Sequence, residues 1–139
     1  MKYLVDANVL SEPTKPIFSP QVVEWLNANE SELVVNSIVM AEIWRGVDDM
    51  PEGRKKRELA AWFRDLRTTT HCLEWTLETA IVWAEMVNHI KRTGYTVGTM
   101  DTMIAATAKH HGLTVATRNV DDFTRCGVPV VNPFEKPSA

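Results

Sequence analysis

Short, nearly unbroken apolar runs alternate along the chain with longer stretches in which apolar positions recur every three or four residues. Leu4-Val5, Leu33-Val34-Val35, Leu113 to Ala116 and Val128 to Val131 are runs of the first kind. Their length and β-branched content predict buried strands over 2–6, 33–36, 113–117 and 128–131. His71 to Trp75 reads as a further short extended segment. Between them lie helical patterns with recognisable ends. Ser19-Pro20 opens a helix to about Ala28, with serine as N-cap and proline at the first helical position. Ser37 is expected to cap a helix from Ile38 to about Val47. Arg54 to Arg67 sets Leu59, Trp62, Phe63 and Leu66 on one apolar stripe. Thr76 caps a long helix to about Arg92 that Gly94 ends, and Thr99 opens another through His111, closed by Gly112. Ser11 to Pro20, with three prolines, reads as a loop. Arg118 to Asp122 reads as a polar loop, and the end of the chain as a proline-rich tail.

Strand and helix patterns alternate throughout, which predicts an α/β fold in three layers, a central parallel sheet flanked by helices. In such sheets ligand sites lie beyond the carboxyl ends of the strands.

Composition narrows the function classes. At 139 residues the chain is about one domain long, with enough core to fold without disulfides or a structural metal. Its formal charge of −3 excludes a strongly basic nucleic-acid coat protein. It leaves a nuclease open, because metal-binding carboxylates enter that sum as negative charges. No apolar run approaches the ~20 residues of a membrane helix, and the first residues lack the apolar region of a signal peptide. Cys72 and Cys126, without a CxxC pair, form neither a disulfide framework nor a zinc site. A cytoplasmic location is the expectation.

The acidic residues carry the chemistry. Asp6 ends the first strand, Asp101 lies in the first turn of the helix opened by Thr99, and Asp121 and Asp122 follow the 113–117 strand. Glu42 lies in the helix after the second strand, among Val39, Met40, Ala41, Ile43 and Trp44. Each acid alone has an ordinary role as a turn, cap or dipole partner. Together they occupy element ends that share one rim of a parallel sheet, among apolar neighbours. Clustered carboxylates need a cation, and Mg²⁺, or Mn²⁺ as a substitute, prefers oxygen ligands. Asn8 and Thr117 are candidates to hydrogen-bond a carboxylate or a bound water. His71, His89, His110 and His111 are scattered and read as surface or core residues. The basic run Arg54–Arg57 reads first as a solvated helix face, and Arg118, beside the acidic loop, is the better candidate for a phosphate contact. Arg45, one turn from Glu42, can orient that carboxylate or meet a partner's group.

These residues carry a resemblance. The segments Leu4-Val5-Asp6-Ala7-Asn8-Val9-Leu10-Ser11-Glu12-Pro13, Met40 to Val47, Met100 to Ala108, Leu113 to Asn119 and Asn132-Pro133-Phe134-Glu135, in that order, resemble PIN-domain ribonuclease toxins of the VapC type, FitB-like branch. The resemblance implies a single PIN domain over residues 1–139 and cleavage of RNA phosphodiesters by a Mg²⁺-dependent endoribonuclease. It implies Asp6, Glu42 and Asp101 as core metal ligands. Where the family often has a fourth acid, this chain has Asn119. Relatives with asparagine there usually carry an acid two or three positions on, so Asp121 and Asp122 both qualify, and Asp122, before Phe123, matches better. Asn119 and Asp121 are then supporting residues. Implied partners are the RNA substrate, a cognate VapB/FitA-like antitoxin and a second copy of the chain, with higher assembly on operator DNA and no membrane. The alternative is a catalytically silent PIN-like subunit that only partners a DNA-binding antitoxin. A receiver or nucleotide-binding domain fits poorly, since one acid alone follows the first strand and no glycine-rich loop follows any strand.

Overall fold

A computed structural model describes residues 1–136. Five parallel strands, β1 (Tyr3–Val5), β2 (Leu33–Asn36), β3 (His71–Leu73), β4 (Thr114–Ala116) and β5 (Val130–Val131), form one sheet in the order β3-β2-β1-β4-β5. The α/β expectation holds. Between the strands run α1 (Ala7–Leu10), α2 (Pro20–Ala28), α3 (Ser37–Asp48), α4 (Arg54–Thr69), α5 (Leu77–Thr93), α6 (Thr99–His111) and α7 (Val120–Arg125). No helix among the described residues is long and apolar enough to cross a membrane. Pro137 of the expected tail lies outside the described residues.

The central strand shows how the sheet is packed. Leu4 and Val5 are both fully buried, and neighbours along a strand point to opposite faces. Leu4 joins the larger core with Val34, Val39, Ile104 and Val115. Val5 joins a smaller one with Val9 and Val22, onto which Trp25, Leu33 and Phe134 pack. Burying each such side chain stabilises the fold by about 1.5–3 kcal/mol. Ala105, Ala106 and Ala108 on α6 are fully buried, and these small side chains let the helix lie close against its neighbours. Trp44 is 40% exposed, whereas Trp25, Trp62, Trp75 and Trp83 are partly buried.

The capping residues were partly anticipated. Ser19 accepts from the Val22 N–H and Thr76 from the Thr79 N–H. Gly94 (φ +83°) and Gly112 (φ +67°) end α5 and α6 in the left-handed region that glycine tolerates. Four expectations need correction. Asn36, not Ser37, caps α3: its Oδ1 accepts from the Val39 N–H at 2.8 Å, and Ser37 is already helical. The segment after Asp6 turns at once into α1, and a 3₁₀ turn over Glu12–Thr14 interrupts the expected loop. The expected polar loop Arg118–Asp122 gives way at Val120 to α7. Thr99, expected to lead into a helix over Met100–His111, is itself the first residue of α6, and Gly98 before it provides no side-chain cap.

Asn36 also donates from Nδ2 to Thr107 Oγ1 at 2.9 Å, so it ties β2 to α6 while capping α3. It is 1% exposed. Replacing Asn36 with alanine removes a cap and the donor that Thr107 Oγ1 accepts from, leaving that hydroxyl only its bond to Met103 O. The expected loss is about 2–3 kcal/mol of unfolding free energy, read from urea denaturation. A loss under about 0.5 kcal/mol, the range of ordinary surface changes, would contradict this double role.

Candidate metal centre

Asp6 leaves β1 at the centre of the sheet, where the connections part to β2 on one side and β4 on the other. Crevices in parallel sheets open at such points. Its backbone N–H donates to Ala116 O of β4 at 2.9 Å, and its side chain caps α1 by accepting from the Ala7 N–H at 2.8 Å. The other carboxylate oxygen accepts from Thr117 Oγ1 at 2.7 Å and from Asn8 Nδ2 at 3.2 Å. Asp6 is 4% exposed. Burial raises its pKa, against the lowering effect of these hydrogen bonds.

Three further acids share this rim. Glu42, half-buried on α3, is pushed up to about 7 by burial and then by the charges of Asp6 and Asp101, with Arg45 opposing. Asp101, in the first turn of α6, is raised to about 6 by burial and by the charges of Asp6 and Asp122, while the hydrogen bond from Asn119 opposes. Asp122, on α7, receives Asn119 Nδ2 at 3.0 Å, and the same amide donates to Asp101 at 2.8 Å. Asp6, Glu42, Asp101 and Asp122 are thus one electrostatic group. Asp121 is exposed and does not enter it. Behind the group, buried Cys126 has its thiol raised to about 11 by burial and by Asp101 and Asp122, so the negative field reaches into the core.

The supporting residues are placed to hold these acids apart and in orientation. Asn8 bridges Asp6 to the Arg118 backbone N–H, which donates to Asn8 Oδ1 at 3.1 Å. Thr117 Oγ1 donates to Asp6 and accepts from the Asn119 N–H at 3.0 Å. Among the described residues no three His, Cys, Asp or Glu side chains are drawn tightly enough together to ligate one ion directly. Amide and hydroxyl donors stand between the acids instead. The donor set still fits a hard divalent cation: all carboxylate oxygen, of like charge and at least partly buried. The cations that reach it are Arg45, beside Glu42, and Arg125, 3.5 Å from Asp122 Oδ1.

Cavities of about 460 and 300 Å³ open on either side of Glu42, toward Arg45 and Met100 and toward Asn8 and Trp62. The Arg54–Arg57 run is largely occupied: Arg54 pairs with Glu58, Lys56 with Glu52, and Lys55 donates to Thr14 O. Arg118 is exposed, and its guanidinium stacks on Phe134. The Asn119 bridge and the Phe134 stack were not anticipated. The first was hidden because Asn119 registers in sequence only as a missing acid.

Known proteins resemble this chain over nearly its whole length. The PIN domain family model matches residues 3–128. Toxin FitB of Neisseria gonorrhoeae is 35% identical over 135 residues, covering 94% of this chain and 97% of its own. The VapC ribonuclease Y4jK of Sinorhizobium fredii is 30% identical over 136 residues, covering 95% and 97%. A solved structure of FitAB bound to an IR36 DNA fragment superposes with a TM-score of 0.92 at 31% identity, over 98% of each chain. By sequence, topology and the match over nearly its whole length, the chain belongs to the PIN domain family.

Proposed function

We propose that this chain is the toxin of a toxin–antitoxin pair, an endoribonuclease that cleaves RNA phosphodiesters with Mg²⁺, for which Mn²⁺ can substitute. The observation that carries the reading is the convergence of Asp6, Glu42, Asp101 and Asp122 on one sheet rim of a PIN-family chain. A cognate VapB/FitA-like antitoxin neutralises it. The active unit is a homodimer that assembles further with antitoxin on operator DNA, and the pair works in the cytoplasm. Relatives that carry the names toxin and VapC ribonuclease, and a FitAB complex on DNA, support the toxin, ribonuclease and antitoxin-partner parts of this reading.

In this reading Asp6, Glu42, Asp101 and Asp122 would hold the cation. When bound, it supplies positive charge against the charge that builds on the phosphate during attack by water, and it acidifies water. Asp6 is fixed in one orientation by the Ala7 N–H, Asn8 and Thr117. Asn119 sets Asp101 and Asp122 at a common distance from one amide. Asp121, one position away, supports α7 without joining the acids. Arg45 lies near enough to Glu42 to favour its ionised form. No histidine is among the groups that shift Asp6, Glu42 or Asp101, so no histidine is given a role in proton movement. Arg118 contacts an RNA phosphate at the rim. The silent-subunit reading rests on Asn119, but Asp122 restores the acid three residues later.

Three outcomes test the reading. Asp101→Asn is expected to lower Mg²⁺-dependent cleavage of labelled RNA by roughly a hundredfold or more, with an unchanged circular-dichroism spectrum; full activity in the folded variant refutes the ligand assignment. Asp122→Asn is expected to weaken Mg²⁺ binding, measured calorimetrically, more than Asp121→Asn. The reverse order would assign the fourth position to Asp121. The third outcome follows from linkage. Glu42 and Asp101 bind protons more tightly folded than unfolded, so their stabilising effect is complete below their ordinary values of 4.5 and 3.8 and is lost as pH rises through about 6 and 7. The melting temperature in EDTA is therefore expected to fall between pH 5 and pH 8, with less fall in Glu42→Gln and recovery on adding Mg²⁺ at pH 8. An equal fall in Glu42→Gln would place the titration elsewhere.

A further inference from the structure

A rim of four carboxylates repels the phosphates it is proposed to cut, so the RNA backbone must be held by cations beside the cleft. Many of the chain's cations are already engaged. Arg54, Lys56 and Lys15 pair with Glu58, Glu52 and Glu12, and Arg125 pairs with Asp122 while stacking on Tyr95. Arg118 differs, making no ion pair with a carboxylate among the described residues. Its backbone N–H is tied to Asn8 Oδ1, and Asn8 in turn donates to Asp6, so Arg118 sits one side chain away from the buried acid.

Its guanidinium carbon lies 3.6 Å from the centroid of the Phe134 ring. A guanidinium lying on a ring uses its face and leaves its in-plane N–H donors free, in the fork geometry that matches phosphate oxygens. Phe134 is itself held. Its ring packs on the smaller core with Val5, Val9 and Val22. Its N–H donates to Asn132 Oδ1 at 3.0 Å, and Gln21 on α2 donates to the carbonyls of Pro133, at 3.0 Å, and Glu135. An unsupported arginine loses up to about 2 kcal/mol of side-chain entropy when fixed. The stack has already removed part of that freedom, which preorganises the group for binding.

We infer that Phe134 is a positioning residue, and that the C-terminal segment Asn132–Glu135 holds Arg118 at the cleft rim as a subsite for an RNA phosphate. The inference rests on the RNA-cleaving reading above and adds to it a residue that touches neither metal nor RNA.

The test reads binding and cleavage separately. Fluorescence anisotropy with a labelled single-stranded RNA in EDTA, across a KCl series, gives affinity and salt slope without metal. Arg118→Gln is expected to weaken binding about two- to fivefold and to lower the logarithmic salt slope by about 0.7, one single-strand phosphate contact. Phe134→Leu, which keeps apolar bulk but loses the aromatic face, is expected to weaken binding similarly in the wild-type background and not further in Arg118→Gln. Phe134→Tyr retains wild-type affinity. In Mg²⁺, Arg118→Gln and Phe134→Leu raise KM and leave kcat within about twofold, the pattern of lost uniform binding. Arg118→Lys, which leaves the tail untouched, keeps the slope but loses affinity, so the stack is tested even where Phe134→Leu fails to fold. Wild-type affinity in Phe134→Leu or Arg118→Lys, full additivity of Phe134→Leu with Arg118→Gln, or no measurable binding by the wild type overturns the inference. Binding that responds as expected without any Mg²⁺-dependent cleavage would uphold the subsite and refute the nuclease reading. Cleavage with unaltered binding in the variants would do the opposite.

Discussion

A carboxylate buried at the end of the central strand is the constraint to which the rest of the site answers. Asp6 is only 4% exposed, and a buried charge is tolerated only when its oxygens are satisfied. Three donors from three directions do this: the first N–H of α1, the Asn8 amide and the Thr117 hydroxyl. Two come from α1 and one from the end of β4, so two distant stretches of chain are tied to one point. The chain has to turn into α1 immediately after β1, and β4 has to end where its threonine meets the aspartate. Strand order makes this possible, because β1 lies between β2 and β4 and delivers Asp6 where the connections diverge.

Around that point like charges accumulate, and their neighbours do not cancel them. Asp101 sits at a helix N-terminus, which favours its anion, and accepts from Asn119. Burial and the charges of Asp6 and Asp122 still raise it to about 6. The local dipole and one neutral amide are therefore weaker than desolvation combined with like charge. Asn119 is instructive here. A fourth carboxylate at its position would add charge between Asp101 and Asp122, whereas the amide donates to both and lets them lie close.

Much of the fold was legible because it depends on local pattern. The strands, the stripe on α4 and the caps at Ser19 and Thr76 follow from residues within a few positions of one another. The errors have physical causes. α1 is a single turn, too short to show a 3.6-residue period, and α7 carries two aspartates in its first turn that look like a loop. Asn36 and Ser37 are both good cap formers, and the choice between them depends partly on Thr107, 71 positions away. The acidic residue types were legible at the site, as was their common rim. The preference for Asp122 over its neighbour comes from the resemblance and not from pattern, because the rotation of α7 decides it; the Arg118–Phe134 stack depends on the path of the tail, which local sequence does not contain.

The hydrogen bond between Thr117 and Asp6 spans 111 positions. Most of the chain must therefore be synthesised before the central aspartate can be satisfied and the central strand can gain its second neighbour. Contacts this distant in sequence form late and slow folding. During translation the first strand leaves the ribosome long before its partner exists. A site built this way is incomplete in the nascent chain until residue 117 has been made, and its four acids cannot be set in place before that strand joins the first.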